Sequence, residues 1–337
     1  MRFIRENAEL AVRNLLREVA KRQGGSELWA RDYMDDGSPI ELKVTINEEE
    51  GSAIFDFEGT GPEVNANHNC PKSVVHSAII YCLRAMIDQD IPLNQGCLLP
   101  VQIKIPEGCF LDPSDDAAVV AGNVLTSQRI TDVVLKAFSA VAASQGCMNN
   151  LSFGTDSFGY YETIAGGTGA GPGWHGTGGV QSHMTNTASV DPEILERRYP
   201  VLLRKLALRE DSGGKGEWKG GEGVIRDLEF QLDMQVSILS ERRVFQPFGM
   251  NGGEDAKGGS NTWVKKIGDK ERHINMGGKS TAKFHRGDRI IIQTPGGGGW
   301  GKAGQDKESS QRTTKGSNTH DTKKGSLVER VQTMLGA

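Results

Sequence analysis

Two glycine runs constrain this chain more than any other feature: Gly213-Gly214-Lys215-Gly216-Glu217-Trp218-Lys219-Gly220-Gly221-Glu222-Gly223 and Thr294-Pro295-Gly296-Gly297-Gly298-Gly299-Trp300-Gly301. A glycine inside a helix or strand costs about 0.5 to 1 kcal/mol relative to alanine, so runs this dense are not expected within regular elements. They imply tight turns or close approach of the main chain to something else. The sequence therefore predicts loops, and loops carry function more often than cores do.

The remainder reads as folded. A length of 337 residues suggests two or three structural units. A net charge of −4 offers no basic field to nucleic acid or to an anionic membrane surface, so neither is an expected partner. Apolar stretches such as residues 77–83 fall far short of the roughly 20 residues that span a bilayer, which implies a soluble protein. The five cysteines are odd in number, widely spaced and free of any C-x-x-C pair. That pattern excludes a disulfide framework or zinc knuckle and predicts reduced thiols in a cytoplasmic protein, with Cys82 and Cys147 serving packing.

Hydrophobic periodicity predicts an α+β fold, with a mixed helix/strand N-terminal half and a β-rich, glycine-loop-rich C-terminal half. Ile4, Ala8, Ala11, Leu15 and Val19 recur at helical spacing with no capping residue before them, so the chain is expected to begin inside a larger fold. Such a helix would leave apolar surface exposed, which predicts association into a homo-oligomer. Residues 41–46 and 53–57 alternate as a hairpin, and further helices are predicted over 72–86 and 119–144. Strands are predicted at 101–105, 148–153, 160–164, 201–209, 224–232, 236–239, 261–266 and 289–293, with a short helix at 191–198. Domain organisation is read as one domain over 1–301, a disordered polar linker over 302–325 and a short amphipathic segment over 326–337.

Two short motifs are set aside. Gly277-Gly278-Lys279-Ser280-Thr281 resembles the end of a phosphate-binding loop, yet His273 stands where its first glycine is required. Gly171-Pro172-Gly173-Trp174-His175-Gly176 satisfies G-x-G-x-x-G but runs into more glycine where a dinucleotide site needs a helix. The stronger candidate is the region 160–186, which places Glu162, His175, His183, Thr185 and Asn186 around a glycine loop. A carboxylate, imidazoles and amides there are the ingredients of acid/base and oxyanion chemistry. Asn123, with Thr126-Ser127-Gln128-Arg129, opens a helix and either caps it or binds a ligand. Arg242 either pairs within its own charged run or meets an anionic substrate.

Longer segments then carry a resemblance. Residues 59–64 (Gly-Thr-Gly-Pro-Glu-Val), 90–97 (Asp-Ile-Pro-Leu-Asn-Gln-Gly-Cys), 122–129 (Gly-Asn-Val-Leu-Thr-Ser-Gln-Arg), 143–150 (Ala-Ser-Gln-Gly-Cys-Met-Asn-Asn), 159–167, 183–187 (His-Met-Thr-Asn-Thr), 191–196 and 294–299 resemble the C-terminal portion of eukaryotic ATP-dependent 5-oxoprolinases, within their hydantoinase B-type domain. The resemblance implies ATP-driven opening of the lactam of 5-oxo-L-proline to L-glutamate in glutathione turnover, this chain being a truncated hydrolytic portion. An unactivated lactam resists water, so phosphorylation of its carbonyl oxygen would make the carbon electrophilic. The hydrolytic half then needs a base and oxyanion donors.

On that reading Glu162 or His183 is the base, Asn186 an oxyanion donor, and Asn123, Ser127, Arg129, His175 and Arg242 contact substrate. ATP and Mg²⁺ are implied for the full enzyme and held largely outside this chain, by a hydantoinase A-type domain in cis or in trans. No metal is assigned within the chain. Two departures from the family pattern are Ala188, where arginine is usual, and Ala66, where glycine is usual. The competing readings are another hydantoinase or ketone carboxylase subunit, or a non-catalytic fragment with a binding or assembly role.

Overall fold

The computed structural model describes residues 2–89 and 91–304. The amphipathic segment at 326–337 and all of the expected linker beyond residue 304 lie outside the described residues. Within them the elements are mixed helix and strand, as the α+β reading expects.

Helix α1 (Arg2–Gln23) buries Ala8, Ala11, Val12, Leu16, Val19 and Ala20. The buried stripe is narrower than the periodicity suggests, since Ile4 is exposed and Leu15 only partly buried. Strands β1 (Glu27–Tyr33), β2 (Pro39–Asn47), β3 (Ser52–Asp56) and β4 (Val101–Lys104) form one sheet in that order. The predicted hairpin is the β2–β3 pair, with Lys43 opposite Asp56 and Asn47 opposite Ser52. β3 and β4 run parallel, and the crossover between them carries α2 (Lys72–Met86). Strand β1 escapes the alternation test because its inward positions are Leu28, Ala30 and Asp32. A carboxylate at an inward position hides a strand from any hydrophobic pattern.

The long helix expected over 119–144 is shorter. One π-helical turn (Gly122–Thr126) leads into α3 (Ser127–Ala137), and Ser139, at φ +47°, ends it. Left-handed backbone cannot continue a right-handed helix. The alanine-rich stretch beyond it leaves the helix to join the backbone stack described below.

The second half contains β5 (Asn150–Thr155), β6 (Phe158–Thr163), α4 (Pro192–Arg198), β7 (Val201–Arg209), β8 (Gly223–Phe230), β9 (Met234–Leu239), β10 (Ser260–Ile267), β11 (Lys270–Asn275), β12 (Lys279–Phe284) and β13 (Arg289–Gln293). They make two antiparallel sheets, ordered β12-β9-β5-β6 and β11-β10-β13-β8-β7. Leu151, Phe153, Leu228, Phe230, Val236, Phe284, Ile290 and Ile292 fill a shared apolar core. Asp191 caps α4 by accepting from the Glu193 and Ile194 amides at 3.1 and 3.4 Å. The edge strand β11, Lys-Glu-Arg-His-Ile-Asn, is exposed along nearly its whole length and has no apolar face for a sequence to reveal.

The glycine runs are irregular, as predicted, and much of them is buried. Residues 294–300 are buried, as are Gly213, Gly214, Gly220, Gly221 and Gly223. They stack main chain on main chain: Gly297 N–H donates to the Gly221 carbonyl at 2.9 Å, Gly214 N–H to the Gly297 carbonyl at 2.9 Å, and Gly298 N–H to the Ala143 carbonyl at 2.8 Å. Gly167 N–H reaches the Pro295 carbonyl and Ala170 N–H the Gly298 carbonyl, at 3.0 and 2.9 Å. A Cβ at Gly220 would fall on the Gly297 carbonyl oxygen, and one at Gly297 on the Thr168 carbonyl oxygen. Neither glycine has positive φ, so the requirement is space and not backbone freedom. Of the two meanings the sequence allowed, close approach is the one the structure uses here. Buried backbone groups must be paired, and this stack pairs them without a regular sheet.

Candidate active site

Asp32 near the end of β1, Arg129 and Asp132 on α3, Glu241 and Arg242 just after β9, and Lys279 on β12 converge on one buried ionic hub. Arg129 and Arg242 are both fully buried. Arg129 Nη1 lies 3.2 Å from Asp32 Oδ2, and its Nη2 lies 3.4 Å from Glu241 Oε2. Arg242 Nη2 is 2.7 Å from both Asp32 Oδ2 and Asp132 Oδ2. Lys279 Nζ closes the set at 2.8 Å from Glu241 Oε1. Arg242 holds left-handed backbone, φ +65°, and Gly146 leaves the space that its guanidinium side occupies.

Opposing effects set the charge states. Burial alone would push the Asp132 carboxyl up, but His183 and Arg242 hold it below the ordinary carboxylate range. Burial likewise works against Glu241, and Arg129 with Lys279 brings it down. Asp132 and Glu241 are therefore ionised at neutral pH, each held by cations that burial alone would not have favoured.

His183 stands at the edge of this hub. Its Nε2 lies 3.6 Å from Asp132 Oδ1, and its Nδ1 lies 3.1 Å from the Tyr81 hydroxyl on α2. The partners assign the proton to Nε2, facing the carboxylate, and leave Nδ1 to accept from Tyr81. Burial, with the charges of Cys82 and Asp132, raises the Tyr81 phenol above its ordinary value, so it is a protonated donor at neutral pH. Asp132 is itself oriented, since its Oδ1 accepts the Ser144 amide at 3.0 Å while Arg242 takes Oδ2.

Tyr81 and His183 form the wall between two cavities. The smaller, about 280 Å³, is also lined by Ser77, Asn123, Ser127, Thr131 and Met184. The larger, about 600 Å³, has Leu15, Met86, Leu135, Val141 and Trp174 among its lining residues. The loop bearing His183 is tied down on both sides, by Gln181 to Thr163 Oγ1 at 2.9 Å and by Ser182 to Gln128 Oε1 at 3.2 Å. An imidazole backed by a carboxylate, with a hydroxyl on its other nitrogen and open space on either side, can move a proton.

The residues singled out from sequence are thus divided. His183, Asn123 and Ser127 share the small cavity. Arg129 and Arg242 are closed in the hub and hold its carboxylates. Glu162 lines a different cavity, where Arg226 Nε donates to it at 2.6 Å and Tyr160 at 2.9 Å. His175 is exposed, accepts the Lys219 amide at 2.8 Å and packs its ring against Trp218. Asn186 is exposed and lines neither His183 cavity. Sequence reasoning missed Tyr81 and Asp132. Asp132 did leave a signal, being an acid three residues after Arg129 in a helix otherwise rich in Ile130, Val133 and Val134, where a buried charge requires a partner.

All five cysteines are buried and free. Burial raises the Cys70 thiol to about 12, and Cys82 is raised further by the same cause, which fits packing and not nucleophilic chemistry. Ala66 is not among the residues with positive φ, so its departure from glycine is accommodated. Ala188 is exposed.

A family model described as hydantoinase B/oxoprolinase matches residues 1–303. The chain is 57% identical over 311 residues to 5-oxoprolinase 1 of Arabidopsis thaliana, an alignment covering 89% of this chain and 24% of that protein. It is 55% identical over 305 residues to 5-oxoprolinase of Dictyostelium discoideum, covering 90% and 24%. The chain therefore spans about a quarter of the length of these relatives. Among solved structures, an ATP-dependent caprolactamase from Pseudomonas jessenii superposes with a TM-score of 0.77 at 22% identity, over 88% of this chain and 55% of that one, and shows the same fold. Among the described residues no helix is long and apolar enough to cross a membrane.

Proposed function

Because the chain belongs to the hydantoinase B/oxoprolinase family, we propose that it forms the ring-opening part of an ATP-dependent 5-oxoprolinase, which converts 5-oxo-L-proline to L-glutamate. The observation that carries this reading is the Tyr81–His183–Asp132 chain in the wall between two cavities, with the hub fixing Asp132 from behind. In the reaction His183 Nδ1 receives the proton of the attacking water, directly or through the Tyr81 hydroxyl. Asp132 stabilises the imidazolium that results. Asn123 and Ser127, across the smaller cavity, orient the lactam.

The Gly-Gly-Lys-Ser-Thr segment does not form a phosphate-binding loop. Lys279 of the Gly-Gly-Lys-Ser-Thr segment lies on β12 and is tied to Glu241. No group of three or more His, Cys, Asp or Glu side chains among the described residues is placed to hold an ion. In this reading ATP and Mg²⁺ belong to a hydantoinase A-type unit, in cis or in trans, and the setting is the reducing cytoplasm that five free thiols suit.

The test is glutamate release from 5-oxo-L-proline with ATP and Mg²⁺, by the chain combined with a hydantoinase A-type unit. His183→Ala should lower kcat by about 10² to 10⁴ while leaving stability within about 1 kcal/mol. Near-normal turnover in that variant would remove His183 from the chemistry.

A further inference from the structure

Of the two cavities that meet at Tyr81 and His183, the proton transfer derived above uses the smaller and leaves the larger without an occupant. The larger has a volume of about 600 Å³, within the ordinary range of organic-ligand sites. Leu15, Met86, Leu135 and Val141 give it an aliphatic wall. Trp174, also in the wall, is 45% exposed, so the cavity opens to solvent. No Asp or Glu lines it, and Arg22 is its only Lys or Arg. An apolar space with a single permanent charge suits a ligand with an apolar body and one charge of the opposite sign.

Two observations turn Arg22 toward that space. Arg22 lies in the last turn of α1, two turns after Leu15, and positions seven apart share one helix face. Its Nη2 also donates to the Phe138 carbonyl at 3.5 Å, which puts the guanidinium beside Ser139 and Ala140, the next two residues of the chain and both part of the cavity wall. A basic residue in a last turn commonly serves the free carbonyls of its own helix, yet the carbonyl that Arg22 reaches belongs to the end of α3. That one long hydrogen bond leaves most of its donors unused. Among the described residues Arg22 makes no ion pair, whereas Arg13 on the same helix holds Glu9. The side chain is exposed, so an incoming solute can reach it.

We propose that the larger cavity binds an aliphatic monocarboxylate of medium chain length, with its chain along Leu15, Met86, Leu135 and Val141 and its carboxylate on the guanidinium hydrogens of Arg22 that Phe138 leaves free. Guanidinium and carboxylate match in charge and in planar geometry, which a neutral amide of the same shape does not reproduce. Octanoate, at about 30 Å³ per heavy atom by the share of a water in the liquid, needs roughly 300 Å³, half of the volume available. The site goes beyond the ring-opening chemistry and does not rest on the lactam reading.

Octanoate is the probe, with octanamide as its neutral isostere, titrated against the full chain by calorimetry and by ligand-observed NMR. Saturable octanoate binding is expected, with octanamide weaker by about fivefold, the scale of one solvent-exposed ion pair. In Arg22→Met the octanoate affinity should fall by the same about fivefold and the two probes should bind alike. Ala85→Trp, from an exposed position of α2 in the cavity wall, should fill the space and abolish binding of both probes while thermal unfolding stays unchanged. That variant keeps the test decisive if Arg22→Met fails to fold. Absence of saturable binding, equal affinity for octanoate and octanamide in the unaltered chain, or octanoate binding that survives Ala85→Trp would each overturn the proposal.

Discussion

The glycine stack and the arginine–carboxylate hub are both buried, and neither is a hydrophobic core. The stack pairs main chain with main chain and excludes side chains altogether. The hub is built of side chains and depends on each charge meeting its opposite. Residues 142–146 belong to both: Ala142, Ala143 and Gln145 bond to carbonyls of Ala170, Phe248 and Gly167, while Ser144 holds Asp132 and Gly146 makes room for Arg242. A rigid backbone framework thus abuts the charged groups that orient His183. The two regions should therefore fail differently, one to any added atom and the other to any lost charge.

The largest effect should come from the stack. Gly220→Ala places a methyl on the Gly297 carbonyl, with backbone on both sides unable to give, and should cost more than about 4 kcal/mol in urea unfolding or prevent folding outright. A loss below about 1 kcal/mol would mean that the segments are not in contact. Next, Arg242→Met leaves Asp32 and Asp132 sharing a buried site with one cation fewer, and should cost about 3 kcal/mol. Combining it with Asp132→Asn should recover part of that loss, which a double-mutant cycle would read directly.

Acid should separate the regions further. Asp132 and Glu241 have folded-state values held below their ordinary 3.8 and 4.5. Groups depressed on folding contribute stability that is complete above the ordinary value and is lost as pH falls through the folded one. Unfolding free energy should therefore fall as pH drops below about 4.5, and this slope should shrink in Asp132→Asn. A stack of uncharged main chain contributes nothing to it. The smallest change is expected at the junction, where Ser139→Gly relieves left-handed backbone at φ +47° and should gain about 1 kcal/mol, readable as a rise in Tm.

Legibility followed the range of the interaction. Helix α2 was read at its observed bounds because Val75, Ile79 and Leu83 repeat on one face within a single segment. The β2–β3 hairpin was visible for the same reason, with a short turn and simple alternation. Strand β1 was missed where charge replaced the apolar signal, at Asp32, and helix α3 was drawn too long because the left-handed backbone at Ser139 leaves no mark on the apolar pattern. The glycine runs are the irregular segments the sequence predicts, but their burial was not legible, since composition reports that side chains are absent and not what has taken their place. Among the site candidates, His183 was found by its neighbours in sequence, whereas Tyr81 lies 102 residues away from it.

By itself the sequence determined many of the elements, α2 and the β2–β3 hairpin among them, the glycine runs as places of close approach or turning, and the family resemblance carried by long local motifs. Only the tertiary structure decided that those runs pack against each other, that Arg129 and Arg242 face inward, and that Asp132 stands behind His183. The physical reason is that periodicity and propensity act within a few residues. A buried ion pair such as Asp132 with Arg242 joins positions 110 apart, and its partners are chosen by folded geometry alone.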